Sequence, residues 1–358
     1  MKKTILLLTT QSEGVSASQI RMKYFKRALE HSNYNVVDFE ISLNGLKKYI
    51  YYLYRFPSKD LVAKSKNADL ILATSPTLLN AILAYKVAKK RNIPFIVDIR
   101  DLWEEYAKTA HFLLYKVGVI KNIVREYYEA LTHATKIFVV TEHMKRYYDE
   151  IVGLADKLIV ISNGTDTNII RCHETKREVD LICLADLNRP YHNLEFLLEA
   201  LKGNNLRLSI VGGGSFLPKM KKKAQDLGIS EKVVFVGWVP YENLASHLCK
   251  AKVGVVGRPF TRNIEYLYTI PVKTYDYLAA GLPIIAYGPE NSALESFIKQ
   301  NALGCYTSKP DPSILSEELR VLVEKSDQFR KRARRISLHF DRKNIAQKVV
   351  EIIGEIFA

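Results

Sequence analysis

Along the whole chain, strand-length apolar segments alternate with helical ones, and the plan runs through twice. In the first half the strand candidates are Thr4–Thr10, Asn35–Ile41 and residues 68–75, 94–99, 136–141 and 157–162. In the second half they are residues 179–185, 206–211, 232–237, 252–256, 282–286 and Gly304–Thr307. These runs are rich in Ile, Leu and Val and apolar on both faces, as strands under helices on both sides of a parallel sheet must be. Helical patterns fill the gaps, among them 77–91, 123–132, 194–201, 216–227, 242–250, 273–280 and 292–300. The expectation is α/β: two Rossmann-like, doubly wound domains in tandem. The junction is expected within residues 163–176, where Asn163-Gly164 signals a turn and Asp166 can serve as a cap. That divides the chain into 1–163 and 164–341.

A chain of 358 residues has room for two domains of ordinary size. Apolar runs of about five to eight residues are too short for a transmembrane helix. The opening Met1-Lys2-Lys3 and the apolar residues after it read as a first buried strand, not a leader. Cys172, Cys183, Cys249 and Cys305 lack metal spacing and read as reduced thiols of a cytoplasmic protein. No histidine spacing suggests a metal either. The net charge is +15, and both halves are basic. Such a balance attracts nucleic acid, anionic membrane or phosphorylated small molecules without choosing among them. Nucleic acid is disfavoured: there is no zinc finger, RNA-recognition signature or basic repeat.

The richest run is Pro271-Val272-Lys273-Thr274-Tyr275-Asp276-Tyr277-Leu278-Ala279-Ala280-Gly281-Leu282-Pro283. Lys273 and Asp276, three apart, share one face at the start of a helix that feeds a buried strand. A helix N-terminus favours phosphate, Lys273 adds a full charge, and Asp276 can accept from sugar hydroxyls. An ordinary surface Lys–Asp pair is the plain alternative. Gly212-Gly213-Gly214 sits between a strand and a helix, where missing side chains would let a diphosphate approach the backbone. Arg258 follows strand 252–256 and could clamp phosphate. Arg189 lies in the loop after strand 179–185, with His192 nearby. In the first half, Asp98, Arg100 and Asp101 end strand 94–99, a place suited to catalysis or to a salt-bridged helix cap. Gly14, in the loop after the first strand, suits a close approach to substrate, although no Gly-x-Gly-x-x-Gly fingerprint is present.

The run from Pro271 resembles the Pro-x-Lys-x-x-Glu-Tyr-x-Ala-x-Gly-x-Pro-Val-Ile signature of glycosyltransferase family 4. Residues 162–166 are similar to its Pro-Asn-Gly-Val-Asp element, with Ser162 for Pro and Thr165 for Val. Val211 to Gly214 is similar to its Val-Gly-x-Gly turn, and Phe235-Val236-Gly237-Trp238-Val239 to its Phe-x-Gly-x-Val loop, which packs around the base. Asp98-Ile99-Arg100-Asp101-Leu102-Trp103 resembles the Asp-x-Arg-Asp-x-Trp run of a subgroup that adds sugars during surface polysaccharide and glycan assembly. There are departures. Of the family's two glutamates eight apart, the second is Asp276 here and the first falls on Tyr268. Ala185-Asp186-Leu187 replaces Gly-Arg-Leu and His192-Asn193 replaces Lys-Gly; by resemblance to a subgroup with a Gly-x-Leu-Gly-Arg type loop, Arg189 would be the substitute phosphate ligand.

The resemblance implies a GT-B fold, its two domains facing across a cleft. The first would bind the acceptor, the second the donor, and a terminal helix at 342–358 would cross back to the first. It implies retaining, metal-independent transfer of a hexose-type sugar from a UDP- or GDP-linked donor to a glycan or lipid-linked hydroxyl, with no cofactor. The donor would be held by Arg189, Gly212, Gly213, Gly214, Val239, Arg258, Lys273 and Asp276. Asp98, Arg100 and Asp101 would serve catalysis, with Gly14 in a substrate loop. Residues 43–66 mix lysines with Tyr49, Tyr51, Tyr52, Tyr54 and Phe56, which fits a peripheral contact at the cytosolic membrane face. Residues 111–128 are similarly apolar and basic and could line a lipid-linked acceptor site. The rival readings are a sugar-nucleotide 2-epimerase and, given Tyr268, Asp186 and His192, a non-catalytic partner subunit.

Overall fold

The computed structural model describes residues 2–11, 17–43, 54–75, 77–110, 112–172, 176–190 and 192–358. Gly14 and residues 44–53 of the basic aromatic stretch lie outside these. The chain forms two compact units, Met1–Ser162 with Arg342–Ala358, and Asn163–Asp341.

Among the described residues of the first unit the strands are β1 (Thr4–Thr10), β2 (Asn35–Ile41), β3 (Leu70–Thr74), β4 (Phe95–Ile99), β5 (Lys136–Val139) and β6 (Leu158–Val160). They form one parallel sheet in the order β2-β1-β3-β4-β5-β6. β3 and β4 are buried along their whole length, which is why they read as apolar runs apart from Thr74 and Asp98 near their carboxyl ends. β2 differs from that expectation: as the edge strand it exposes Asn35, Asp38 and Glu40. The helix Glu142–Val152 starts where Thr141 Oγ1 accepts from the Met144 amide at 3.0 Å and stops at left-handed Gly153. The helix Arg342–Phe357 packs Ile345, Ala346, Val349 and Ile353 into the same core as Phe25 and Leu29 of the helix Ala17–His31.

The second unit repeats the plan with β7 (Val179–Leu184), β8 (Leu208–Val211), β9 (Val233–Gly237), β10 (Ala251–Gly257), β11 (Ile284–Tyr287) and β12 (Gly304–Thr307). Its parallel order is β12-β11-β10-β7-β8-β9. The direction of winding reverses between β7 and β10 here, and between β1 and β3 in the first unit. Such switch points open crevices at the carboxyl ends of the strands.

One expectation is overturned. Cys172 and Cys249 are joined by a disulfide, with Cα atoms 5.3 Å apart, so only Cys183 and Cys305 are free thiols. The pair is separated by 77 residues, so no local spacing could announce it. It ties the segment following Asp166 to the end of the helix Leu244–Leu248.

Candidate active site

In the second unit, the site residues gather at the carboxyl edge of the sheet, around its switch point. Lys273 opens the helix Lys273–Ala279 and reaches back so that Nζ donates to the carbonyl of Leu184, the last residue of β7. Its Nζ also lies 3.1 Å from His192 Nδ1. The Asp186 amide donates to His192 Nε2 at 3.2 Å. The ammonium and the amide N–H can both only donate, and a neutral imidazole has one acceptor nitrogen, so the ring fully satisfies only one of the two at a time. Two donors, the Lys273 ammonium and the Asp186 amide, therefore converge on one ring.

The charges there are under strain. Burial first, and the Arg258 charge with it, pulls the Lys273 pKa down to about 8, against the pull of Cys183 and Asp186. Burial, then Lys273 and Arg258, drives His192 down to about 2, so its ring is neutral at physiological pH. Arg258 follows β10 directly and is buried. Its Nη2 donates to Thr269 Oγ1 at 3.3 Å, and its guanidinium lies 5.2 Å from the Tyr266 ring centre. Two cations that raise each other's cost of charge are chemically suited to an anion arriving between them.

The glycine turn borders this cluster. The Gly212 amide donates to the Gly237 carbonyl at 2.7 Å, and the Leu187 amide to the Gly213 carbonyl at 2.9 Å, so the loops after β7, β8 and β9 are stitched together. Gly212 (φ 128°) and Gly214 (φ 146°) hold conformations that other residues avoid. A Cβ at Gly212 would strike the Ala185 carbonyl, and one at Gly214 the backbone of Leu187 and Asn188. Beyond the turn, Trp238 is 70 % exposed, and a Cβ on Gly213 would stand 3.1 Å from its Cδ1. Val239 is part-buried and packs its side chain onto the core beneath. Arg189 is exposed and lines a pocket of about 200 Å³ together with Leu187, His192, Asn193, Phe216 and Met220.

Asp276 lies deeper than its spacing from Lys273 suggested. It is 5 % exposed, and its Oδ1 accepts from Thr165 Oγ1 at 2.7 Å and Tyr241 OH at 3.0 Å. The Asp166 amide also donates to Tyr241 OH, at 3.2 Å. Asp276 thus fastens the helix Lys273–Ala279 to the segment that opens the second unit. Thr165 and Tyr241 carried no signal for this in the sequence.

In the first unit, Asp98, next to last in β4, is fully buried. Arg21 grips it with Nε to Oδ2 at 3.1 Å and Nη2 to Oδ1 at 2.9 Å, and Thr74 Oγ1 donates to Oδ2 at 2.9 Å. The same guanidinium donates to the carbonyls of Ile161 and Ser162. Asp98 is therefore held by cation and hydroxyl alike. Arg100 is 9 % exposed, its amide donates to Ser75 Oγ, and its Nη2 is 3.9 Å from Asp101 Oδ2. Its Nε and Nη1 are buried and have no hydrogen-bond partner among the described residues. Burial lowers its pKa, opposed by Asp101 and Asp98. Asp101 is half-exposed beside it. The sequence reading missed Glu104, a fully buried carboxyl that accepts from Tyr148 OH at 2.7 Å. Burial, only partly offset by that hydrogen bond, lifts its pKa to about 7. No group of three or more His, Cys, Asp or Glu among the described residues is placed to hold a metal.

Comparisons with known proteins bear on both units. The family model described as "Glycosyl transferases group 1" matches residues 165–337, and "Glycosyltransferase Family 4" matches residues 16–169. Both halves of the chain are glycosyltransferase family domains. A GDP-mannose-dependent alpha-(1-6)-phosphatidylinositol monomannoside mannosyltransferase of Mycolicibacterium smegmatis is 37 % identical over 114 residues, 30 % of this chain and 29 % of that protein. The alpha-monoglucosyldiacylglycerol synthase of Streptococcus pneumoniae is 23 % identical over 276 residues, 71 % of this chain and 59 % of that protein. The matches thus span less than two thirds of either relative's own length. Among solved structures, Anabaena HepE in complex with UDP aligns with a TM-score of 0.71 at 16 % identity, covering 99 % of this chain and 100 % of that one. Sucrose-phosphate synthase from Thermosynechococcus elongatus aligns with a TM-score of 0.76 at 15 % identity, covering 99 % of both chains. The two parallel six-stranded sheets with their helices match these GT-B structures in fold.

Proposed function

We propose that the protein is a retaining glycosyltransferase that moves a hexose-type sugar from a UDP- or GDP-linked donor to a hydroxyl of a glycan or lipid-linked acceptor. The observation that carries this is the buried Lys273 ammonium against His192, with the Arg258 charge acting on both, beside the glycine turn at a sheet switch point. These groups form a ready site for a diphosphate. The family matches, and relatives whose names include a mannosyltransferase and a monoglucosyldiacylglycerol synthase, support the same chemistry.

In this reading the second domain holds the donor. As the anomeric C–O bond breaks, its electron pair passes to the diphosphate oxygen. Lys273, Arg258 and the amides of the glycine turn neutralise that charge without a metal, and each donor contributes on the order of 2–4 kcal/mol. Arg189, at the mouth of its pocket, adds a further phosphate contact. Asp276 acts by holding the Lys273 helix in place. The acceptor hydroxyl attacks from the face that the diphosphate leaves, and its proton goes to the departing phosphate oxygen. In the first domain, Arg100 offers its buried Nε and Nη1 to a sugar or acceptor hydroxyl, Asp101 orients it, and Asp98 positions the loop through Arg21. No described helix is long and apolar enough to cross a membrane, and the proposed place of work is the cytoplasm, including its membrane face.

Donor turnover tests this. Release of UDP or GDP from UDP- and GDP-hexoses should fall by roughly 30- to 1,000-fold in Lys273→Ala and in Arg258→Ala. Wild-type rates in both variants would contradict the mechanism. A wild-type protein that binds nucleotide but turns over no donor would favour the non-catalytic partner.

A further inference from the structure

The Cys172–Cys249 disulfide braces the same two segments that hold the Lys273 helix. One segment opens the second unit. In it Thr165 Oγ1 donates to Asp276 at 2.7 Å, and Cys172 follows a turn in which Asp166 Oδ1 accepts from the Asn168 and Ile169 amides. The other carries Tyr241, whose OH donates to Asp276 at 3.0 Å, and runs through the helix Leu244–Leu248 to Cys249. The Asp166 amide joins the two by donating to Tyr241 OH. Asp276 lies one turn along from Lys273 on the helix Lys273–Ala279. Ile170, Leu248 and, from the Lys273 helix, Tyr275 share one core cluster, with Cys172 packed at its edge. The bridge and the Asp276 hydrogen bonds thus fix the two segments at separate points, and the carboxylate passes their position to Lys273.

We propose that this bridge is a redox-sensitive staple of the donor site, closed for tight nucleotide binding and opened by a dithiol reductant, a role that rests on the donor-site reading. Disulfides are rare in the cytoplasm, the proposed place of work, and those found there are typically transient or redox-sensing. Cys172 is the half-buried member and Cys249 the buried one, at 7 % exposed, so a dissolved thiolate reaches the Cys172 sulfur first. The thiolate attacks Sγ of Cys172, the S–S bond breaks, and Cys249 leaves as a thiolate that takes a proton. The dithiol's second sulfur then closes onto its first and releases Cys172. Two electrons and two protons pass to the protein, and the dithiol becomes a disulfide. The parted thiols no longer hold residues 165–172 against the helix Leu244–Leu248. Thr165 and Tyr241 then lose their fixed spacing around Asp276, and Lys273 is no longer held at the phosphate position.

Titrations of UDP and of GDP into the full chain, before and after treatment with dithiothreitol, test this. Alkylation under denaturing conditions reads the bridge: labelled cysteines should rise from two, Cys183 and Cys305, to four. The nucleotide that binds the oxidised protein should bind the reduced one about fivefold or more weakly, with far-ultraviolet circular dichroism unchanged. With no nucleotide present, backbone amides of residues 165–170 and 273–280 should exchange faster after reduction. Cys172→Ala/Cys249→Ala should bind like the reduced protein and ignore dithiothreitol, which excludes an effect through Cys183 or Cys305. Equal nucleotide affinity of the oxidised and reduced proteins overturns the staple and leaves the donor-site reading standing. Loss of circular dichroism together with binding would make the bridge a brace of the whole domain, and overturns the staple as well. So does a bridge that dithiothreitol fails to open while the protein stays folded. No nucleotide binding by the oxidised protein would instead overturn the donor-site reading, and the staple with it.

Discussion

Arg21 holds Asp98 through two parallel hydrogen bonds, at 2.9 and 3.1 Å, with Asp98 fully buried and Arg21 nearly so. Arg21 belongs to the helix Ala17–His31 and Asp98 to the end of β4, and the same guanidinium reaches two carbonyls after β6. Three elements of the first domain are joined by one side chain. Removing one member of a buried pair strands the other charge, at a cost of about 3–5 kcal/mol. Arg21→Ala should therefore lower stability by about that amount, as read by urea unfolding. A loss of activity without loss of stability would instead give Asp98 a direct chemical role.

Glu104 makes the stability of the first domain depend on pH. Its pKa is raised to about 7 in the folded protein, chiefly by burial, and returns to the ordinary carboxylate range on unfolding. The folded state thus binds the proton more tightly. This contribution is fully present below about pH 4.5 and is lost as pH rises through about 7, the loss amounting to about 3 kcal/mol at higher pH. Glu104→Gln should gain stability relative to the wild type as pH rises from about 5 to about 8. Parallel unfolding curves at all pH values would refute it.

How much of this was legible in the sequence depends on range. Buried parallel strands such as β3 and β4 advertise themselves as short apolar runs, so the alternation sufficed for the α/β class, with strand ends off by a residue or two. Motif residues were visible as types in places. What they touch was not: Lys273 meets Leu184 across 89 positions, Asp98 meets Arg21 across 77, and Asp276 meets Thr165 across 111. The Cys172–Cys249 bridge was hidden for the same reason. Glu104 looked like any helix-start acid, because only the packed tyrosines around it change its chemistry.

The glycine turn should tolerate no side chain. In Gly212→Ala the new Cβ meets the Ala185 carbonyl, and the backbone at φ 128° disfavours alanine independently. Strain of this kind costs about 1–3 kcal/mol. Nucleotide affinity should fall by more than the loss of stability explains, because the loops after β7 and β8 must move apart. Comparing denaturant midpoints with nucleotide titrations separates the two effects.

Lys273 predicts a pH dependence of donor binding. In the empty site it loses its proton near pH 8. An anion favours the charged form, so nucleoside diphosphate affinity should drop by up to about tenfold per pH unit above that value. In Lys273→Arg the guanidinium stays charged and the fall should vanish. A wild-type affinity unchanged between about pH 7.5 and about pH 9.5 would show that Lys273 does not meet the phosphates.

The most direct test of the account is a calorimetric titration of UDP and of GDP into the wild type and Lys273→Ala. The account predicts that one nucleotide binds the wild type and that Lys273→Ala weakens it by at least about 30-fold, the lower end of the worth of one preorganised charged donor. Equal affinity in both proteins, or no binding of either nucleotide to the wild type, would contradict a diphosphate site at the start of the helix Lys273–Ala279.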